Sequence, residues 1–433
     1  MFVSPISLRK TVKMLIRSDL NLSEYINKIC NRIDNIEKEI HALIPEPNRR
    51  ERLIKQAKAL EKKYINPDKR PPLYGVLVGI KDIINVDGFI TKAGSNLPPD
   101  LFSTKEASCV KKLRDLGSII LGKTVTTEFA LSEPGPTRNP YNLDHTPGGS
   151  SSGSAASVAA GYCPLALGTQ TGGSVIRPAS YCGIVGFKPS YNRVKIDGLI
   201  TVSHSFDHLG LFTKDIDSLE FVASLFVPNW RNTRVQKKPI LGIPVGSYLN
   251  QATPEILDIF NKNVRKLEKV GFIIKEIKFF NNINEINHMH RIMTAAEMSN
   301  VHSNWYKQYE QLYSNRTANF ILEGKKVDAK QLKKARALGY EIRYDIENKM
   351  RHNNIDLLIS PSSTGAAPKG LEFTGDASMN IVWSYSGLPV VSLPMGFTSN
   401  YLPVGLQIVS TYMKEEELIV KSKMIAHRLK KYC

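Results

Sequence analysis

Three short segments of this 433-residue chain carry the side chains best suited to covalent chemistry. Residues 148–154 read GGSSSGS, residues 168–178 read GTQTGGSVIRP, and Lys81 follows the apolar run of residues 75–80. A serine hydroxyl becomes a nucleophile when a neighbouring base takes its proton. A lysine amine can be that base if burial keeps it uncharged. These residue types suit catalysis by a serine, provided that folding brings the three segments together.

The composition of residues 148–154 is most often that of a flexible linker. Here the segment runs directly into residues 155–160 (AASVAA), a predicted helix of small residues that Gly161 ends, and then into the apolar strand of residues 164–167. A serine-rich turn between two ordered elements indicates close packing or hydroxyl chemistry rather than a linker.

Two adjacent glycines, Gly172 and Gly173, precede Ser174 just after a predicted strand. Glycines let the main chain turn tightly and direct successive N–H groups at one point, as an oxyanion hole requires. A phosphate-binding loop or a plain turn would use similar residues. The segment has neither a Walker lysine nor a GxGxxG spacing, so the sequence supports phosphate binding only weakly.

Lys81 would ordinarily be a surface residue whose amine reaches water. Its place at the end of a predicted buried strand leaves a second orientation open, with the amine inside the protein. Desolvation would then lower its pKa and leave a neutral amine that can accept a proton.

The elements that must position these segments alternate between helix and strand, which predicts an α/β fold with crossover connections. Helices are predicted from apolar periodicity and capping signals, and strands from short apolar runs. The predicted helices are residues 22–40, residues 49–63, a helix opened by a capping box at residues 103–106 and ended by Gly117, and most of residues 206–350. The predicted strands are residues 74–80, 119–121, 164–167, 356–359 and 388–394. Strands on either side of the helical middle are expected to join one sheet.

The chain carries 58 Lys and Arg against 40 Asp and Glu, a formal charge of +18 that suits an anionic partner. The excess is lysine-rich and spread over predicted helices, with no motif beside it that reads RNA or DNA. Nucleic acid is therefore expected only as a second choice after a small-molecule substrate.

The five cysteines are odd in number, widely spaced and without CxxC pairs, so neither a disulfide framework nor a metal site is predicted. Charged residues interrupt the opening segment, which lacks the apolar core of a signal peptide, and no run of eighteen apolar residues follows. We therefore expect a cytoplasmic protein without a membrane segment. The cysteines are Cys30, Cys109, Cys163, Cys182 and Cys433.

Together, the three segments resemble the amidase signature family. The serine-rich segment, the TGGS turn ending at Ser174 and the GIKD sequence of residues 79–82 match its motifs, and the 24-residue separation of Ser150 and Ser174 matches its spacing. The resemblance covers residues 5–225 and 355–430 well, whereas the middle matches only in texture. Further landmarks are residues 122–129, 139–142, 182–189, 356–361 and 386–389.

The resemblance implies roles for individual residues. Ser174 would attack the amide carbonyl and form an acyl-enzyme, Ser150 would follow a cis peptide bond and relay the proton, and Lys81 would be the base. The three side chains would form one hydrogen-bonded relay, with Ser151 and Ser152 as hydrogen-bonding neighbours. No histidine, metal or other cofactor is required. The oxyanion would be held by the main-chain N–H groups of Thr171, Gly172, Gly173 and Ser174.

The resemblance also implies a large, mixed, twisted β-sheet sandwiched between layers of α-helices, in a single domain of residues 1–433. Its expected parts are N-terminal helices (1–70), the signature core (71–225), a variable helical region (226–355), and C-terminal strands with a helix that return to the core sheet (356–433). Dimers are frequent in similar proteins, so a homodimer is one expected state. Specificity is expected from the middle region and from the mouth of the site, near Asp376, Asn380 and Trp383.

Arg177 departs from the common motif, in which an arginine stands two residues after the nucleophile rather than three. This form resembles the short malonamidase-like members, in which the arginine grips a substrate carboxylate. A guanidinium holds a carboxylate by two parallel hydrogen bonds. The predicted substrate is therefore a small acidic amide, and pairing of Arg177 with an internal Asp or Glu is the alternative.

Two other functions use the same segments. A glutaminase-type subunit that feeds ammonia to a tRNA-dependent amidotransferase would share the catalytic residues and need a partner carrying the tRNA site. The short length and the position of Arg177 count against it, whereas the basic charge counts for it. An amidase-like protein that binds a ligand without catalysis is disfavoured, because Lys81, Ser150 and Ser174 are all present.

Overall fold

A ten-stranded sheet runs through the protein, in the order β2-β1-β3-β5-β4-β9-β10-β8-β6-β7. The computed structural model describes residues 1–429, and Cys433, with the predictions that involve it, lies outside the described residues. The strands are β1 (Leu77–Lys81), β2 (Ile119–Thr124), β3 (Leu165–Gln170), β4 (Val185–Lys188), β5 (His208–Thr213), β6 (Leu241–Val245), β7 (Ile274–Lys278), β8 (Leu357–Pro361), β9 (Val390–Phe397) and β10 (Pro403–Val409).

Fourteen helices within residues 1–429 surround this sheet. They are α1 (Leu8–Ile16), α2 (Leu22–Ile40), α3 (Arg49–Lys63), α4 (Ser108–Asp115), α5 (Ser152–Ala159), α6 (Ile176–Tyr181), α7 (Ile216–Phe226), α8 (Pro254–Lys269), α9 (Ile283–Val301), α10 (Ser303–Tyr309), α11 (Asn315–Lys325), α12 (Ala329–His352), α13 (Ser378–Tyr385) and α14 (Glu415–Leu429). The apolar stripe predicted for residues 22–40 and the basic helix predicted for residues 49–63 are α2 and α3.

The sheet mixes parallel and antiparallel strands, as expected. β1 pairs in parallel with β2 and β3, and β6 pairs in parallel with β7 and β8. β5, β4, β9 and β10 form antiparallel pairs between these two ends. Because parallel β1 and β3 end at the same edge of the sheet, the residues that follow them, Asp82 and Thr171, lie at one edge.

Alternating side chains of the central strands reach two hydrophobic cores. Leu77 of β1 and Ala166 of β3 belong to the core that α2, α3 and α5 cover. Their neighbours Val78 and Leu167 belong to the other core, which α4, α7 and α9 help to cover. Successive side chains of a strand point to opposite faces, so the sheet lies between two helical layers, as expected.

The capping box predicted at residues 103–106 is wrong, because the N-cap of α4 is Ala107, four residues after Ser103, and no side chain caps the helix. The Thr104 hydroxyl accepts a hydrogen bond from the Asn85 side chain, and the Glu106 carboxylate accepts one from the main-chain N–H of Asp87. These side chains therefore bind a neighbouring loop instead of the ends of their own helix.

Residues 206–350 are mostly helical, as expected, but they also contain the strands β5, β6 and β7, which were not expected. β5 lies in the middle of the sheet between β3 and β4, and all six of its residues are buried. A strand buried on both faces has no polar alternation, so its short apolar run cannot be distinguished from helix by periodicity. The division of the chain into the four parts named above stays a prediction.

Gly153 shows why the serine-rich segment is not a linker. It lies in the first turn of α5, and a Cβ atom there would collide with main-chain atoms of Ala42 and Val125. The N–H of Gly153 donates to the carbonyl of Val125 at 2.9 Å, so the start of α5 is fixed against the neighbouring chain.

We expect Gly153→Ala to lower the free energy of unfolding by about 2–3 kcal/mol, because main-chain atoms cannot move aside as a flexible side chain would. Gly365→Ala is the matched control, since a Cβ there meets only a side-chain carbon of Thr253 at 3.8 Å. Denaturant unfolding of both variants checks this, and equal stability of the two would contradict the tight packing of α5.

Candidate active site

The amine of Lys81 lies inside the protein, at the last residue of β1. Nζ donates hydrogen bonds to Ser150 Oγ at 2.7 Å and to Thr169 Oγ1 at 2.8 Å. Burial lowers the pKa of Lys81 well below that of an exposed lysine, and the negative charge of Asp207 opposes part of this shift. The inward orientation left open by the sequence is the one observed, and it favours an uncharged amine.

Ser150 lies just before α5 and is also buried. The peptide bond between Gly149 and Ser150 is cis, as the family resemblance implies. The next serine, Ser151, accepts a hydrogen bond from the main-chain N–H of Thr169 at 3.2 Å and donates one to its carbonyl at 3.1 Å. Ser151 thus holds the end of β3 against the serine-rich segment, close to the amine of Lys81.

Ser174 lies in the turn between β3 and α6, and it lines a cavity of about 790 Å³. Its hydroxyl makes no hydrogen bond to another residue within 1–429, and this includes Ser150. The Lys81–Ser150 contact of the expected relay is therefore formed, whereas the Ser150–Ser174 contact is not. The two serine segments are nevertheless adjacent, because Arg177 Nη2 donates to the carbonyl of Gly149 at 2.7 Å.

The main-chain N–H groups of residues 171–174 make no hydrogen bond to any other part of the chain that the structure describes. Thr171, Gly172 and Gly173 line the same cavity as Ser174. Free N–H groups beside a serine hydroxyl can stabilise the negative oxygen that forms when the hydroxyl adds to a carbonyl. A Cβ atom at Gly173 would collide with the side chain of Asn380, which explains the glycine at that position.

The guanidinium of Arg177 donates to two main-chain carbonyls and does not pair with an internal Asp or Glu of the described chain. Nη1 donates to the carbonyl of Gly375 at 2.6 Å and Nη2 to that of Gly149, while Nε is buried without a partner within the described chain. No carboxylate of residues 1–429 lies within 4.0 Å of the guanidinium, so the internal salt bridge is absent. Arg177 also lines the cavity, and burial lowers its pKa while Tyr181 and Asp376 oppose part of this shift.

Of the three residues expected at the mouth of the site, only Asp376 lines the cavity. Asn380 and Trp383 are fully buried beneath it. Asn380 donates to the carbonyl of Ser362 at 2.9 Å, and Trp383 Nε1 donates to the hydroxyl of Tyr248 at 2.8 Å. These two expectations were wrong because both residues lie on the inner face of α13, which the sequence did not define.

Asp207 is a site residue that sequence reasoning missed. Its carboxylate accepts hydrogen bonds from Thr171 Oγ1 at 2.6 Å and from the main-chain N–H groups of Val202 and Ser203 at 2.8 and 3.1 Å. Burial raises its pKa to about 6, against the lowering effect of these hydrogen bonds and of Lys81. Asp207 could have been found by predicting β5 as a strand, because Asp207 directly precedes it.

Helices from the middle of the chain form much of the cavity wall. α9 contributes His288, Arg291 and Thr294, and α11 contributes Arg316 and Phe320. Within residues 1–429, no group of three or more His, Cys, Asp or Glu side chains is arranged to hold a metal ion. No helix in that range is long and apolar enough to cross a membrane.

Comparison with known proteins identifies the family. The family model described as Amidase matches residues 24–419, which includes the middle region. A glutamyl-tRNA(Gln) amidotransferase subunit of Sulfurisphaera tokodaii is 30% identical, with 98% of each chain covered. A crystal structure of an amidase superposes with a TM-score of 0.89 at 26% identity, over 99% of this chain and 100% of that one.

A peptide amidase from Stenotrophomonas maltophilia has the same fold, with a TM-score of 0.84 at 22% identity over 98% of this chain and 97% of its own. The family model matches nearly the whole chain, and the superposed amidase shares the expected α/β architecture over nearly its whole length. The protein belongs to the amidase signature family and is an amidase.

Proposed function

We propose that this protein hydrolyses the amide bond of a small substrate through an acyl-enzyme on Ser174, with Ser150 and Lys81 as the proton relay. One observation supports this most directly. A buried amine with a lowered pKa contacts the Ser150 hydroxyl at 2.7 Å, and a second serine, which lines a cavity, lies in the adjacent segment.

In the first step, Ser174 Oγ bonds to the amide carbon while its proton passes to Ser150 and the proton of Ser150 passes to Lys81 Nζ. The carbonyl oxygen becomes an oxyanion held by the N–H groups of residues 171–174. The relay then returns a proton to the leaving nitrogen as the carbon–nitrogen bond breaks. Water adds to the acyl-enzyme along the same proton path and releases the carboxylic acid, which restores Ser174.

The missing contact between Ser150 and Ser174 is compatible with this mechanism. Catalytic hydrogen bonds are often long in free enzymes and tighten when substrate binds. The Ser174 hydroxyl has no competing partner within the described chain, so substrate can direct it toward Ser150 without first breaking another hydrogen bond.

The substrate we propose carries a carboxylate. The cavity is lined by three arginines and one aspartate, and a positively charged wall favours an anion. Arg291 is partly neutralised by Glu323 at 2.6 Å and Arg316 by Glu133 at 3.7 Å, whereas Arg177 has no carboxylate partner within residues 1–429. The buried Nε of Arg177 leaves one donor of this guanidinium unused. The arginines are Arg177, Arg291 and Arg316, and the aspartate is Asp376.

The second candidate is a glutaminase-type subunit that supplies ammonia to a tRNA-dependent amidotransferase. The similarity to amidotransferase subunits supports it, and because the chain covers 98% of such a relative, short length does not count against it. This function requires a partner that carries the tRNA site. Affinity purification of the tagged protein from its native cell distinguishes the candidates. A stable partner that raises glutaminase activity supports the amidotransferase role, and a free protein or homodimer with full activity supports the small-amide hydrolase.

We expect Ser174→Ala to lower amide hydrolysis by about 10⁶-fold and to abolish labelling by a fluorophosphonate probe, because the nucleophile is gone. Ser150→Ala should lower activity severely but less completely, since water can replace a relay hydroxyl.

Lys81→Ala should remove most activity while the protein stays folded, because a buried amine contributes little net stability. Ammonia release from a panel of amides and circular dichroism measure both effects, with Ser152→Ala as the control serine. Near-parental activity of Lys81→Ala would refute its role as base.

We expect activity to rise with pH as the Lys81 amine loses its proton, and Asp207→Asn to move this rise to lower pH. The Asp207 carboxylate, ionised above about pH 6, favours the charged amine, so its removal lowers the pKa of Lys81 further. The pH profile of kcat/KM measures the shift. Asp258→Asn, a residue of α8 far along the chain from this network, is the control. A shift to higher pH would contradict the assignment of Lys81 as the base.

We expect Arg177→Ala to reduce hydrolysis of malonamate-like amides more than that of neutral amides of the same size. The reason is that a guanidinium anchors a carboxylate but contributes nothing specific to a neutral group. Arg291→Ala, which removes an exposed charge of the same cavity, controls for the general positive potential. Equal losses on both substrates would remove the carboxylate anchor and leave Arg177 the task of holding Gly149.

A further inference from the structure

The main-chain carbonyls of residues 171–173 all accept hydrogen bonds from the protein, in contrast to the free N–H groups of the same turn. The donors come from three different elements, α9, α13 and α6. The contacts are His290 Nε2 to the Thr171 carbonyl at 3.1 Å, Ser384 Oγ to the Gly172 carbonyl at 2.6 Å, and the N–H of Arg177 to the Gly173 carbonyl at 3.0 Å.

These contacts also determine where the N–H groups point. A peptide unit is planar, and in the trans form its C=O and the following N–H point in opposite directions. The peptide bonds of this turn are trans. Fixing the carbonyls of residues 171, 172 and 173 therefore fixes the N–H groups of Gly172, Gly173 and Ser174 on the opposite side of the turn. Glycine would otherwise allow such peptide units to rotate easily.

Ser384 is itself held by a buried amide. Gln170 Nε2 donates to Ser384 Oγ at 3.0 Å, while Gln170 Oε1 accepts from the N–H groups of Val175 and Ile176 at 2.9 and 3.0 Å. The two N–H groups fix which end of the amide is oxygen, and the amide nitrogen fills an acceptor site of the serine. The single proton of the Ser384 hydroxyl is then directed to the carbonyl of Gly172.

His290 makes the corresponding contact with the first carbonyl of the turn. Its ring stacks on Phe206 with centroids 4.5 Å apart, and burial lowers its pKa to about 4. The ring is therefore neutral at physiological pH, with one N–H. Since the partner of Nε2 is the carbonyl of Thr171, an acceptor, that proton is on Nε2.

We propose that Ser384 and His290 are positioning residues that keep the oxyanion-binding N–H groups directed into the cavity, with Gln170 fixing Ser384. This proposal rests on the proposed function of Ser174. Without these donors, the peptide units of Gly172 and Gly173 can rotate and present carbonyl oxygens, which repel an oxyanion. Within residues 1–429, none of these three side chains forms a hydrogen bond with the side chain of Lys81, Ser150 or Ser174.

The first test compares Ser384→Ala with Ser384→Thr, which keeps the hydroxyl, and with Ser386→Ala. Ser386 is the control because it is equally buried at the end of the same helix and donates only within that region, to the carbonyl of Val382 at 2.8 Å. The measurement is the second-order rate at which a fluorophosphonate labels Ser174, since the phosphonyl oxygen occupies the oxyanion position.

We expect Ser384→Ala to lower the labelling rate and kcat by about 10- to 100-fold, less than the ~10²–10³-fold loss of an oxyanion donor itself. The Michaelis constant and the pH midpoint of activity should stay unchanged, because the substrate cavity and the Lys81 amine are intact. Ser384→Thr should restore most of the rate, and Ser386→Ala should stay within about twofold of the parent. A rate for Ser384→Ala equal to that of Ser386→Ala, or an effect on KM alone, would overturn the proposal.

His290 offers an independent comparison. His290→Phe keeps the ring stacked on Phe206 and removes the N–H, whereas His290→Gln places an amide N–H near the position of Nε2. We expect His290→Phe to lose about tenfold or more in labelling rate and His290→Gln to recover part of it. Equal rates for the two variants would exclude a role for the N–H. If Ser384→Ala fails to fold, Gln170→Glu replaces it, because a carboxylate keeps the two N–H contacts and cannot donate to Ser384.

The outcomes separate this inference from the function on which it rests. If the parent protein is not labelled at Ser174 and releases no ammonia from any amide, the proposed function fails. If the parent is labelled and both Ser384→Ala and His290→Phe react at the parental rate, only the positioning roles fail.

Discussion

The structure depends above all on placing an amine where water cannot reach it. Removing an ammonium ion from water costs several kcal/mol even after the protein relaxes, so the folded chain favours the neutral form of Lys81. The amine still needs hydrogen-bonding partners, and these come from two other segments, Ser150 before α5 and Thr169 near the end of β3. The pairing of β1 with β3 is what brings these partners within reach.

The opposing charge of Asp207 limits how far that effect goes. Burial lowers the pKa of Lys81 and raises that of Asp207, while each group favours the charged form of the other. The Asp207 carboxylate also accepts a hydrogen bond from the hydroxyl of Thr171. The same carboxylate therefore links the electrostatics of the Lys81 amine to the turn that carries Ser174. The Asp207 carboxylate therefore has two effects. It raises the proton affinity of Lys81, and it helps to hold the turn that carries Ser174.

The turn of residues 171–174 and the outer wall of the cavity are held by partly overlapping sets of helices. The turn with the free N–H groups is held by contacts with α6, α9 and α13, whereas the outer wall carries charged side chains of α9 and α11. Such an arrangement allows the charged side chains of the wall to differ without disturbing the contacts that hold the turn. α9 contributes to both, through His290 on the turn and Arg291 on the wall.

The sequence by itself determined the local features. Apolar periodicity predicted α2 and a basic segment predicted α3, the motif segments supplied Lys81, Ser150 and Ser174 as candidates, and the family resemblance implied the mixed sheet. These are properties of neighbouring residues or of whole motifs. Only the tertiary structure decided which partners meet: Lys81 and Ser150 are 69 positions apart, and Gly172 and Ser384 are 212 apart. Contacts at such separations depend on strand order and on the burial of β5, because no local pattern encodes which distant side chain will lie opposite another.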